Sequence, residues 1–237
     1  MRVGAVGDLH GARFLEFLSE RDEYRNLDLL LLAGDLTEKN NLDEFDLAIK
    51  KLRRLTSAKM IAVFGNEEYD ESHVEYKKRS EIIFLEDEKI ILNIQNKIVK
   101  IIGTTGSLDR PTWWQRTHMP EIWRRYQERV AKIYELLERD DSDFLILLMH
   151  YGPTYKTLVG EKPDKYQEMA SIKYEQVILD KRPDVVFHAH AHRGTRYAEL
   201  VRLQKRLDQL KGDSKPIPVF NVSLPLNKAI TIVELGG

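Results

Sequence analysis

The chain has 237 residues, 42% hydrophobic and 32% charged, with a formal net charge of −1 and no cysteine. This length suits one large α/β domain, and the balanced charge argues against a protein held to nucleic acid by overall electrostatics. The missing cysteines exclude a disulfide framework, zinc–thiolate ligation and thiol catalysis, so a transition metal must use His, Asp, Glu or Asn.

Met1 to Val6 reads as a buried strand, ending at Gly7 and then Asp8 and His10. In extended chain, residues two apart share a face, so one cation could touch both. Ala12 to Leu18 has helical spacing, and Asp28 to Ala33 is a uniformly apolar strand that ends at Gly34-Asp35. Strands of that kind are covered on both faces, as in βαβ folds. The spacing of Leu42, Phe45, Ile49 and Leu52 predicts a helix over 42–55, and Met60 to Phe64 is a third strand ending at Gly65-Asn66-Glu67-Glu68. Ile82–Leu85, Ile90–Ile94 and Lys97–Ile102 read as short strands, a meander into a second sheet. A Trp- and Arg-rich segment, about 110–139, reads as a cap with a helix to about Arg139. Phe144–Met149 is an apolar strand ending at His150, a helix is expected near Glu168–Leu179, and Val185–Phe187 ends in His188-Ala-His190-Ala-His192. Tyr197–Leu210 has an amphipathic helical pattern, and Val219–Val222 and Ala229–Leu235 close the chain as strands. No internal repeat, low-complexity tract or linker interrupts it, so residues 1–237 are expected to form a single domain.

No apolar run reaches the roughly 20 residues of a membrane span. The N-terminus reads as core strand rather than signal peptide, so a cytoplasmic location is expected.

Asp8, His10, Asp35, Asn66, His150, His190 and His192 each follow an apolar run, and Gly7, Gly34 and Gly65 stand beside the early ones. Oxygen and imidazole donors suit Mn, Fe or Zn. Seven donors are too many for one tetrahedral ion, whereas two divalent ions sharing a carboxylate would use them all, with Asp35 the natural bridge. Such a pair clamps a displacement at phosphorus and activates water near neutral pH.

The order Asp8-x-His10, Gly34-Asp35, Gly65-Asn66, His150, His190-x-His192 resembles the calcineurin-like metallophosphoesterases, and Asn221-Val-Ser resembles their last core strand. The spacing in Met149-His-Tyr-Gly-Pro153 is most similar to small prokaryotic and archaeal phosphoesterases related to cyclic-nucleotide phosphodiesterases. The resemblance implies an α/β fold, a four-layer αββα sandwich with two central mixed sheets. It implies Asp8, His10, Asp35 and His192 on one metal, and Asp35, Asn66, His150 and His190 on the other. It also implies a dinuclear phosphoric ester hydrolase whose substrate is a phosphodiester or nucleotide.

Two positions depart from the family pattern. Glu67 stands where a His normally contacts phosphate and protonates the leaving oxygen. A buried carboxyl there could donate a proton through a raised pKa, could repel the phosphate as an ionised group, or could add a metal ligand. The alternative function, a scaffold of this fold that binds partners with little activity, rests on that substitution. Ala189 replaces a Gly before His190, a mild change.

Around these residues, Asn66, Arg193 and His118 are the candidate substrate contacts. His188 and Glu68 are expected to support the ligands from behind, and His73 reads as a surface residue. Trp113, Trp114 and Trp123 with Arg110, Arg116, Arg124 and Arg125 could grip a nucleotide or a single strand. The favoured reading is a cap helix whose aromatics pack on the core, so nucleic acid is not the expected partner. The stripe Tyr197, Leu200, Val201, Leu203, Leu207 and Leu210 either packs on its own domain or pairs with a second copy as a homodimer.

Overall fold

The four consecutive leucines of β2 decide the architecture, because both faces of that strand must be buried. The computed structural model describes residues 1–79, 81–202 and 215–236. The first half runs β1 (Arg2–Val6), α1 (Asp22–Arg25), β2 (Leu29–Leu32), α2 (Leu42–Leu55), β3 (Lys59–Ala62), α3 (His73–Arg79) and β4 (Ile83–Phe84). The second runs β5 (Glu88–Ile94), β6 (Lys97–Thr104), α4 (Trp113–His118), α5 (Ile122–Leu136), β7 (Phe144–Met149), α6 (Lys173–Lys181), β8 (Val185–His188), β9 (Tyr197–Leu200), β10 (Ile217–Asn221), α7 (Leu224–Asn227) and β11 (Thr231–Glu234).

Two mixed sheets result, ordered β11-β1-β2-β3-β4 and β5-β6-β7-β8-β10-β9. Leu30 and Leu32 face outward onto Phe45, Leu52 and Tyr76 from α2 and α3. Leu29 and Leu31 face inward, onto Ile146, Leu148, Val185 and Phe187 of the second sheet. The outer face of that sheet packs Leu145, Leu147 and Val186 against Ile133 and Ile178 from α5 and α6. Three buried seams between four layers make an αββα sandwich. Each fully buried Leu or Ile contributes about 1.5–3 kcal/mol relative to exposure, so a uniformly apolar strand is stable only in the middle of such a stack.

Helix α2 forms where expected. The Asn41 side chain accepts the Asp43 and Glu44 amides at 3.1 and 3.2 Å, Asp43 and Glu44 occupy the first turn, and Arg53 and Arg54 the last. Cap and charges all match the helix dipole.

Several elements differ from the sequence reading. Ile83–Phe84 pairs in parallel with β3, so it ends the first sheet, and the crossing to the second falls between β4 and β5. Residues 15–17 form only a 3-10 turn. Tyr197–Leu200 is a strand paired antiparallel with β10 rather than the start of a helix. Leu203, Leu207 and Leu210 lie outside the described residues. His73 is buried, at 7% exposure, stacked on Phe64 with ring centroids 3.6 Å apart.

The two sheets meet at the carboxyl end of β1. Gly7 donates to the Val222 carbonyl at 3.1 Å and accepts from Leu224 at 2.9 Å. The strands β1, β2, β3, β7 and β8 run parallel within their sheets, so their carboxyl ends, and the polar residues that follow them, gather at one edge. No helix among the described residues is long and apolar enough to cross a membrane.

Candidate metal centre

Four of the candidate ligands occupy the left-handed backbone region that non-glycine residues avoid. Their φ angles are 54° at Asp8, 46° at His10, 50° at Asp35 and 68° at His190. Each such residue costs of order 1–3 kcal/mol and persists only where its surroundings enforce it, and such sites cluster at functional centres. Here the enforcement is visible. Asp8 donates its amide to the Gly34 carbonyl at 2.9 Å and His10 to the Asp35 carbonyl at 3.0 Å. The His190 amide donates to Asp8 Oδ2 at 2.8 Å.

These turns aim side chains into two groups. Asp8, His10 and His192 bring one ligand atom each within 4.8 Å of one another, and so do Asp35, His150 and His190. Asp35 joins them: its Oδ2 lies 3.5 Å from His150 Nε2 and 3.9 Å from His10 Nε2. Asn66 Oδ1 sits 3.2 Å from His150 Nε2, on the second group. All seven candidate ligands therefore converge, from strand ends up to 184 positions apart in sequence.

The donors fit a pair of divalent cations. His150 donates from Nδ1 to the Ala33 carbonyl at 2.9 Å, which leaves Nε2 as the metal-facing nitrogen. Burial pulls His10, His150 and His190 down, keeping them as the neutral imidazoles that a metal requires. Burial pushes Asp8 up, but the hydrogen bond from His192 and the charge of that ring outweigh it and hold its carboxyl low. Its Oδ1 is buried without a hydrogen-bond partner. The Nε2 atoms of His10 and His192 converge to 3.3 Å. Asp35 is pushed well above the carboxylate range, first by burial and then by the charges of Glu68 and Asp8. An orphaned carboxylate oxygen, converging imidazoles and crowded buried acids are all relieved by cations.

Glu68 holds the Asp35 turn. Its carboxylate accepts four backbone amides, Leu36 at 2.6 Å, Gly65 at 2.7 Å, Asp35 at 3.0 Å and Thr37 at 3.2 Å. Burial pushes its pKa up, and the four amides, all donors, favour the ionised form against that. Behind it, His73 lies 3.2 Å from the Glu68 carbonyl oxygen and 3.1 Å from Glu86. Gly65 is required because a Cβ there would fall 2.1 Å from Asp35 Oδ1. At the other departure from the family pattern, the Ala189 methyl packs against Gly7, where a side chain would come within 2.6 Å of it.

The remaining candidates are placed differently. Glu67 is half-buried rather than buried. Its Oε2 accepts the Lys39 amide at 2.7 Å and its own amide donates to Asp35 Oδ1 at 2.9 Å, so it ties the Lys39 turn to the Asp35 turn. His188 is fully buried on the opposite face of β8 from Phe187. Its Nδ1 donates to the Ala189 carbonyl at 2.9 Å, and burial holds it down at about 4. Arg193 is exposed, with its amide on Glu161. His118 is exposed on α4, stacked on Trp114 at 4.9 Å.

The cap aromatics do not pack on the core as expected: Trp113, Trp114 and Trp123 are 68%, 57% and 46% exposed. The neighbouring arginines are committed. Arg110 pairs with Glu168 at 3.3 Å, Arg124 with Glu121 at 2.7 Å, and Arg125 with Asp70, while Arg116 bonds the Pro111 carbonyl.

Sequence reasoning missed two groups. Phe14 meets the rings of His10 and His192 edge-on at 5.6 and 6.0 Å and walls that side of the centre. Tyr151 meets His150 and His190 at 5.2 and 4.9 Å. The signal for Tyr151 was its place directly after His150.

In fold, the chain is similar to the Thermus thermophilus protein TT1561, with 16% identity and a TM-score of 0.52 over 93% of this chain and 88% of that one. It is similar also to a provisionally named 5'-nucleotidase of Staphylococcus aureus solved with alpha-ketoglutarate, with 13% identity and a TM-score of 0.50 over 93% of this chain and 48% of that one. No curated protein is similar enough in sequence to match. The profile of the calcineurin-like phosphoesterases matches residues 1–194, which takes in every candidate ligand. With that match over most of its length, the chain belongs to the calcineurin-like phosphoesterase family.

Proposed function

We propose that the protein hydrolyses a small phosphodiester or nucleotide at a centre of two divalent cations. The observation that carries this reading is the pair of three-residue ligand groups joined through Asp35 Oδ2. Asp8, His10 and His192 would hold one cation, Asn66, His150 and His190 the other, and Asp35 both. When bound, such a pair neutralises phosphoryl charge and activates water for in-line attack at phosphorus. The chain's own residues do the rest. The Ala33 carbonyl fixes the tautomer of His150, Glu68 fixes the Asp35 turn, and Phe14 and Tyr151 shield the imidazoles from bulk water on two sides.

Position 67 shapes the choice of ester. Its carboxylate is occupied by the Lys39 amide, so a leaving group that departs without a strong acid suits the site best. Aryl and nucleotide esters meet that condition.

The test is hydrolysis of bis-p-nitrophenyl phosphate by protein stripped with chelator and then loaded with Mn²⁺, Fe²⁺ or Zn²⁺. Turnover that appears only on reloading is the expected result. No turnover with any of the three would instead support a binding scaffold of this fold.

A further inference from the structure

A cavity of about 770 Å³ opens beside the metal centre, and His190 and Asn66 belong to both. One wall is the segment from Gly65 to Glu71, and the other is the cap. The Arg125–Asp70 ion pair joins the two walls. The lining is largely apolar and aromatic: Leu108, Trp114, Met119, Ile122, Tyr126 and Tyr151. Two polar groups in it lack their full complement of partners. Tyr126 is 4% exposed, and its hydroxyl, beside Gln115 and Tyr151, forms no hydrogen bond of good geometry. Tyr151 is also 4% exposed, and its hydroxyl receives only a long contact of 3.4 Å from Gln115 Nε2. Burial pushes Tyr126 up to about 12, so it stays a donor. A buried hydroxyl without a partner is costly, and cavities of this kind bind ligands that supply the missing acceptor.

The charges around the cavity narrow the ligand further. Its two lining arginines are committed, Arg125 to Asp70 and Arg129 to Asp87 at 2.9 Å and the Gly106 carbonyl at 2.7 Å. Of the lining carboxylates, Asp70 and Glu168 are paired with Arg125 and Arg110, which leaves Glu67 and Glu71 to set the sign of the rim. A second phosphate would meet acids and no uncommitted cation among the described residues.

We propose that this cavity is the subsite for the organic part of the ester, and that it takes a planar, uncharged group carrying hydrogen-bond acceptors, a nucleobase in particular. The base lies among the rings of Trp114, Tyr126 and Tyr151, and the Tyr126 hydroxyl donates to it. Trp114, at the rim, covers the outer edge. The inference rests on the phosphoesterase reading for the direction of the substrate, with the reacting phosphate at the metal centre and the base under the cap. It excludes polynucleotides, whose further phosphates the acidic rim repels.

Calorimetric titration of the Mn²⁺-loaded protein tests it without relying on turnover. Adenosine is expected to bind in the sub-millimolar range, and ribose and an oligothymidylate to give no saturable heat. Tyr126→Phe weakens adenosine binding by about tenfold, the loss expected for one buried hydrogen bond. Met119→Trp, which fills the cavity, abolishes it. The proposal is overturned if adenosine does not bind, if ribose or the oligonucleotide binds as well, or if neither variant changes the affinity. Hydrolysis of bis-p-nitrophenyl phosphate, measured alongside, separates the two ideas. Hydrolysis without adenosine binding removes the subsite alone, whereas adenosine binding without metal-dependent hydrolysis removes the phosphoesterase reading alone.

Discussion

Asp35→Asn is expected to lower metal-dependent turnover by about a thousandfold, the scale of a lost metal-bridging charge in two-cation catalysis. The substitution keeps the shape of the side chain. An Asn Oδ1 can still accept the Glu67 amide, which is 2.9 Å from Asp35 Oδ1. It removes a charge that reaches the Nε2 atoms of both groups, at 3.5 Å from His150 and 3.9 Å from His10. The sign of the stability effect follows from the same geometry. Asp35 is pushed above its ordinary value of 3.8 by burial, Glu68 and Asp8. Its charge therefore opposes folding of the metal-free protein at pH above that value. In chelator, Asp35→Asn should melt at or above the wild-type temperature; with Mn²⁺ the order reverses, because only the wild type gains from tight binding at both positions. Turnover within tenfold of wild type, or a clear loss of stability in chelator, would contradict the bridging role.

The second large effect is structural. Glu68→Ala removes the acceptor of four buried amides, those of Asp35, Leu36, Thr37 and Gly65. At about 1 kcal/mol for each bond, with more for groups left unsatisfied, the loss is roughly 4 kcal/mol. For a protein of this size that corresponds to a fall in Tm of roughly 10 °C. Glu68→Gln is only a partial remedy, because its amide nitrogen would face two N–H donors. Both variants should also bind Mn²⁺ more weakly, since the turn that presents Asp35 loses its anchor. A Tm indistinguishable from wild type in Glu68→Ala would mean that water or another side chain satisfies the turn.

The sandwich and the convergence of the candidate ligands were legible for a common reason. A strand buried on both faces must be apolar along its length, so the polar residue that ends it stands out, as Asp35 does after Leu29–Leu32 and His150 after Phe144–Met149. What the pattern does not encode is which sheet a short strand joins. Ile83–Phe84 has only two ladder residues, and its partner is set by where α3 returns the chain to β3. Tyr197–Leu200 was misread because Tyr, Leu and Val recur there at spacings of three and four. As a strand at the sheet edge it buries only Leu200 fully, at 1% exposure. The role of Glu68 was legible only in outline. Its place after Gly65-Asn66 suggests support for the ligands, but only the return of the chain past Gly34–Thr37 surrounds it with amides. The left-handed turns at Asp8, His10, Asp35 and His190 fall on residue types that tolerate them, but they are enforced by contacts between distant strands that the sequence pattern does not encode. The cap cavity was hidden for a similar reason. Tyr126 is an ordinary core aromatic in sequence, and only the packing of α5 over the end of β7 sets its hydroxyl beside Tyr151 without a well-formed hydrogen bond.

The central claim is a site for two cations that share Asp35, and counting the ions tests it most directly. Equilibrium dialysis of the chelator-stripped protein against Mn²⁺, followed by elemental analysis, should give two tightly held ions per chain in the wild type and no more than one in Asp35→Asn. A wild-type protein that retains none, or a variant that still retains two, would contradict it.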